Sequence, residues 1–115
     1  MTGALLVFIG GGLGAVLRYL ATLVIGSPIA TLAVNVTGGF AIGLLAGTLP
    51  PDASQLRLLF MTGLLGGFTT FSAFGLDALA LWQRGQPAQA GAYVVASVAL
   101  SLAATAAGFA VSRLA

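Results

Sequence analysis

Four long apolar runs, at about residues 3–25, 30–49, 56–82 and 88–114, leave this chain little choice of fold. Each run reaches or exceeds the ~20 residues that cross ~30 Å of hydrocarbon as an α-helix. The interruptions are Gly26-Ser27-Pro28, Pro50-Pro51-Asp52-Ala53-Ser54 and Arg84-Gly85-Gln86-Pro87, all built from turn formers. Helices joined by such short links run antiparallel to their sequence neighbours. No fifth element or separate soluble domain fits, so residues 1–115 read as a single four-helix membrane domain of the all-α class. Charge supports the same conclusion: only 5% of residues are charged, against about 25% in soluble domains. The first run lacks the basic flank of a signal peptide and exceeds its length, so Met1 is expected to begin a mature span.

The charge inventory is Arg18, Asp52, Arg57, Asp77, Arg84 and Arg113, with no Lys, Glu, His or Cys. That removes the ordinary general base, the activated thiol and the zinc site, so an enzyme is not expected. No basic cluster exists to hold nucleic acid. With the N-terminus, second link and C-terminus on one side, that side holds Arg57 and Arg113, offset by Asp52. The other side holds Arg84, with Arg18 in the span approaching it. Arginine bias sets membrane orientation, and here it is nearly absent. Insertion in both directions, followed by antiparallel pairing, is one outcome; a weak bias resolved by other signals is the alternative.

The third run carries Gly66-Gly67-Phe68-Thr69-Thr70-Phe71-Ser72-Ala73-Phe74 at its centre. Adjacent glycines weaken a helix by roughly 0.8–1 kcal/mol each relative to Ala. In lipid, loosened backbone survives only where protein buries it or a wet cavity meets it. The stretch therefore predicts a third helix broken at mid-membrane, and marks a site. Phe71 and Phe74 share a face if helix resumes after the break, either as packing rings or as lining.

Elsewhere, Gly10-Gly11-Gly12-Leu13-Gly14-Ala15 matches a dinucleotide fingerprint literally, but the fingerprint needs an acid ~20 residues on, and position 35 is Asn. Small residues at helical spacing instead let membrane helices approach closely. Arg18 snorkels to the interface or donates to the carbonyls of a loop or helix end. Asn35 shares a face with Thr31 and must be hydrogen-bonded in hydrocarbon, either between helices or as a pore amide offering its NH2 to an anion. In the fourth run Tyr93, Ser97 and Ser101, with Thr105, recur every four residues and align along one helix face. A neutral donor ladder suits a small anion, while plain helix packing is the competing account.

Three motifs occur in order: Gly11-Gly12-x-Gly14-Ala15-x-x-Arg18-Tyr19, Thr31-Leu32-x-Val34-Asn35-x-x-Gly38, and Gly66-Gly67-Phe68-Thr69-Thr70-Phe71-Ser72-x-Phe74. In these the chain resembles the Fluc (CrcB) family of small bacterial fluoride channels. The resemblance implies a multi-pass protein of the cell inner membrane. It also implies an antiparallel, dual-topology homodimer that encloses two fluoride pores and confers fluoride resistance. It implies Phe71 and Phe74 as the ring pair, Asn35 as the pore amide and Tyr93, Ser97 and Ser101 as a polar track. It places Thr31 towards a vestibule and Arg18 in support of the pore entrance. It further implies a central Na+ held by the backbone carbonyls of Gly66 and Thr69 from both subunits. Ala73 stands where many relatives carry Thr, which leaves the break and the rings intact. A dual-topology multidrug transporter is the alternative, but it relies on an intramembrane carboxylate, and Asp77 is poorly placed for that role. A non-transporting assembly subunit would leave the hydroxyl row and ring pair without purpose.

Overall fold

The computed structural model describes residues 1–114. Its helices are α1 (Thr2–Ile25), α2 (Ile29–Thr48), α3 (residues 54–68), α4 (Ser72–Gln83) and α5 (Pro87–Ser112). Together α3 and α4 form the third span, Ser54–Gln83, and all four spans are long and apolar enough to cross a bilayer. The chain is thus a four-helix, multi-pass membrane protein. Its turns follow local chemistry. Gly26 ends α1 at φ 85°, a backbone conformation that a side chain would strain. Gly85 ends α4 at φ 76°, with its N–H on the Trp82 carbonyl and the Gln86 N–H on that of Leu81. Those two bonds are the Schellman arrangement. Pro87 opens α5, where its missing N–H costs nothing.

Glycines set which helices touch. Gly10 and Gly14 on α1 face Gly63 and Gly67 on α3, each pair four residues apart. A Cβ at Gly14 would land on the Leu64 carbonyl, and one at Gly67 on the Gly11 carbonyl. The glycine run of the first span is accordingly a helix-packing surface inside α1, and the dinucleotide match is coincidental. On the other side Gly39, Gly43 and Gly47 of α2 repeat along one face and meet Ser101, Thr105 and Ser112 of α5. Gly108 of α5 returns the fit against the Phe40 carbonyl.

The third span changes partner as it crosses. Its first half, α3, lies on α1, and its second half, α4, lies on α5. Phe74 and Leu81 of α4 form a buried cluster there with Ala90 and Tyr93 of α5, joined by Leu32. The expected mid-span break is therefore where the chain passes from one helix pair to the other.

The break falls within the Gly66–Phe74 stretch, as expected, but after the glycines and not at them. Gly66 is helical (φ −62°, ψ −37°), and α3 continues through Gly67 and Phe68. The chain leaves the helix at Thr69 (φ −87°, ψ 157°) and rejoins it at Ser72. Gly67 is there to let α1 approach, not to unwind the backbone. Just before the break, Leu58–Leu65 is wound as a π-helix, which the sequence did not announce. Such wide turns gather at functional sites.

Candidate functional site

The break is held open from two directions. Asn35 on α2 donates Nδ2–H to the Thr70 carbonyl (2.9 Å) and accepts the Thr70 N–H on Oδ1 (2.8 Å). Both backbone groups of Thr70 are thereby removed from the helical ladder. The Thr70 hydroxyl accepts the Ala73 N–H (3.1 Å), the bond an N-cap makes to the first turn of the following helix. From the other side, Arg18 on α1 donates Nε–H to the Gly67 carbonyl (3.2 Å). Of the two roles open to Arg18, gripping a helix end is the one seen. A cation at a helix C-terminus is also favoured by the macrodipole.

These diversions leave several carbonyls over, that of Phe68 among them. In a continuous helix Gly66 would accept from Thr70 and Thr69 from Ala73. Both donors are used elsewhere, and neither carbonyl gains a backbone N–H in exchange. Gly66 and Thr69 are the two residues expected to hold Na+, and free carbonyl oxygens are the ligands a hard cation takes. The residues present fit that ion.

Beside the break lies an open groove of about 520 Å³. Its walls are Asn35, Gly38 and Gly39 of α2, the segment around Gly66 and Thr69–Phe71, Phe74 of α4, and Ser97 and Ser101 of α5. Among the described residues no charged side chain lines it. Among the described residues the buried Ser97 and Ser101 hydroxyls make no hydrogen bond of ordinary geometry, although the Tyr93 hydroxyl lies near that of Ser97. Buried polar groups are nearly always satisfied, so two such orphans, one helical turn apart on a groove wall, require explanation. Asn35 adds a donor: with Oδ1 committed to the Thr70 N–H, its amide cannot flip, and one Nδ2 hydrogen remains beyond the Thr70 bond.

Phe71 and Phe74 meet edge to face at the groove, ring centroids 5.3 Å apart and planes at 63°. Phe74 is buried, whereas Phe71 is 82% exposed although it sits at mid-span. An aromatic edge is electropositive, so this corner offers the groove no negative surface other than ring faces.

The hydroxyl row is divided by the structure. Ser97 and Ser101 belong to the groove lining, with their oxygens buried, but Tyr93 lies beyond it, packed on Phe74 at 5.4 Å, and donates to Asp77 Oδ2 at 3.2 Å. Thr105 is outside the groove as well, bonding back to the Ser101 carbonyl at 3.0 Å and packing on Gly39. Thr31 is buried near the end of α2 that meets the Tyr93 cluster, and it does not line the groove. The Asp77–Tyr93 bond went unforeseen. Its sequence signal is that both residues stand eight positions from Gly85, on opposite arms of the α4–α5 hairpin.

Comparison with known proteins agrees over nearly the whole chain. Residues 5–109 match the family model described as CrcB-like protein, Camphor Resistance (CrcB). A Rhizobium johnstonii protein named Fluoride-specific ion channel FluC is 53% identical, over 98% of each chain. A Paracoccus denitrificans protein of the same name is 49% identical over 93% of this chain and 91% of its own. One from Rhodopseudomonas palustris is 46% identical over 95% of each.

Proposed function

Because this chain belongs to the CrcB-like family, we propose that it is a fluoride channel, not an enzyme, passing the anion down its electrochemical gradient out of the cell. The observation that carries this reading is the pair of buried, unpartnered hydroxyls of Ser97 and Ser101 on a groove without charge. Fluoride holds water tightly, and a pore must replace that shell with its own ligands. Ser97, Ser101 and the remaining Asn35 hydrogen are the donors, and the edges of Phe71 and Phe74 complete the lining. Their missing partner is the permeating ion. Tyr93 and Thr31 stand at one end of this path, where the ion exchanges the polar track for a vestibule.

The groove is open along the exposed Phe71, and a second copy inserted in the opposite sense would close it. Such an antiparallel homodimer in the cell inner membrane would contain two pores. Its two-fold axis would bring the free Gly66 and Thr69 carbonyls of both copies round one Na+. The near-even distribution of Arg18, Arg57, Arg84 and Arg113 supports dual insertion. Proton-coupled drug export is not favoured. The only acid within a span, Asp77, lies outside the groove and is occupied by Tyr93.

The test is efflux from liposomes holding the purified protein under a K+ gradient, followed with fluoride- and chloride-selective electrodes. Fluoride release without chloride release supports the reading. Equal release of both, or drug uptake driven by a proton gradient, overturns it.

A further inference from the structure

We propose that Arg18 is the positioning residue of the cation site, keeping the Gly66 carbonyl available by holding that of Gly67. The inference rests on the proposed Na+ site and concerns a residue that touches neither ion. Two groups in the break are poised to reunite: the Gly67 carbonyl and the Phe71 N–H, partners in any unbroken α-helix. Arg18 Nε occupies the carbonyl, and the Phe71 N–H has no backbone acceptor. Without Arg18, Gly67 would present an unpaired carbonyl inside the membrane, where an unsatisfied backbone group is costly. The nearest remedy is to rewind one turn through Phe71. That turn also draws the Thr70 N–H back towards Gly66, in competition with Asn35. The Gly66 oxygen is then consumed by helix and lost to the cation.

Arg18 is suited to this task by geometry as well as charge. It projects from α1 one turn beyond Gly14, whose contact with Leu64 and Phe68 brings the α1 and α3 backbones together at this level. Its Nε–H reaches the C-terminal end of α3 at the Gly67 carbonyl.

The experiment measures thermal unfolding of the full chain in detergent while NaCl replaces choline chloride at constant ionic strength. It compares the unaltered protein with Arg18→Met and Arg18→Lys. A ligand that binds only the folded state raises stability as its concentration passes Kd. The Na+ concentration at which stabilisation sets in should rise at least ~10-fold in Arg18→Met, the equivalent of about 1.4 kcal/mol of site free energy. In Arg18→Lys, which retains a charged donor, it should stay within about threefold. A purely structural role for Arg18 would lower unfolding temperature equally at every Na+ concentration and leave the onset unmoved, which overturns the proposal. If Arg18→Met does not fold, Arg18→Gln, a shorter neutral donor, should move the onset by roughly threefold or more, and an unmoved onset there overturns it equally. Absence of any Na+ effect in the unaltered protein would reject the cation site itself, and this inference with it. A Na+ effect that Arg18 variants do not shift rejects only the role of Arg18. Hydrogen exchange gives a second readout: the Phe71 amide should become more protected in Arg18→Met.

Discussion

Replacing Ser97 and Ser101 by alanine should make this protein more stable and less active. In the single chain each hydroxyl is buried and unpartnered. A buried polar group left unsatisfied costs about 1–3 kcal/mol, and alanine is the better helix former by up to about 0.5 kcal/mol. The double variant Ser97→Ala/Ser101→Ala should therefore gain about 2–7 kcal/mol of stability. Permeation should move the other way. A hydrogen bond to a charged partner contributes about 1.5–3 kcal/mol, so losing one donor slows fluoride passage about 10- to 100-fold. Stability would be read from helix content during titration with a denaturing detergent, and flux from a fluoride electrode after reconstitution. Opposite signs identify hydroxyls retained for a visiting anion at the expense of the fold. If the double variant is destabilised by 1 kcal/mol or more, on the order of an ordinary intramolecular hydrogen bond, and flux is unchanged, the serines are packing groups and the reasoning fails.

Asn35→Asp should abolish fluoride flux, because a carboxylate brings negative charge to the groove and sets an oxygen against the Thr70 carbonyl now 2.9 Å from Nδ2. Flux at the unaltered level in a correctly inserted variant would reject the pore role. Phe71→Ile should impair conduction more than Phe68→Ile, since only Phe71 meets Phe74, whereas Phe68 packs on Gly38. Equal losses in the electrode assay would reduce the rings to packing. Gly14→Ala should destabilise the fold by about 1–3 kcal/mol or more, on the scale of core overpacking, because its methyl would meet the Leu64 backbone. Gly11→Ala, whose methyl would lie an ordinary 3.8 Å from the Gly63 carbonyl, should stay within about 1 kcal/mol; detergent unfolding compares the two.

Much of the groove's lining was legible from residue types alone. Phe71, Phe74, Ser97, Ser101 and Asn35 share a groove because helical spacing aligns Phe71 with Phe74 and Ser97 with Ser101, and because the hairpin links are short. The same spacing argument overreached at Tyr93 and Thr105. Periodicity names a helix face but not what stands opposite each turn of it. Tyr93 faces Asp77 of α4, and Thr105 faces the glycine row of α2. The stretch from Gly66 to Phe74 does contain the break, but after its glycines and not at them. Low helix propensity allows a break but does not locate one, and the break lies where long-range donors and acceptors compete successfully for the backbone.

The division follows from the range of the forces involved. Span number, span length and the scarcity of charge are properties of consecutive residues, settled by the thickness of hydrocarbon and the cost of placing ions in it. From those, four antiparallel membrane helices follow without reference to contacts. Where the third span opens was decided by groups far away along the chain: Asn35, 35 residues before Thr70, and Arg18, 49 before Gly67. In lipid a backbone group released from its own helix must find another partner, and only the packed bundle determines which partners come within 3 Å or so of it.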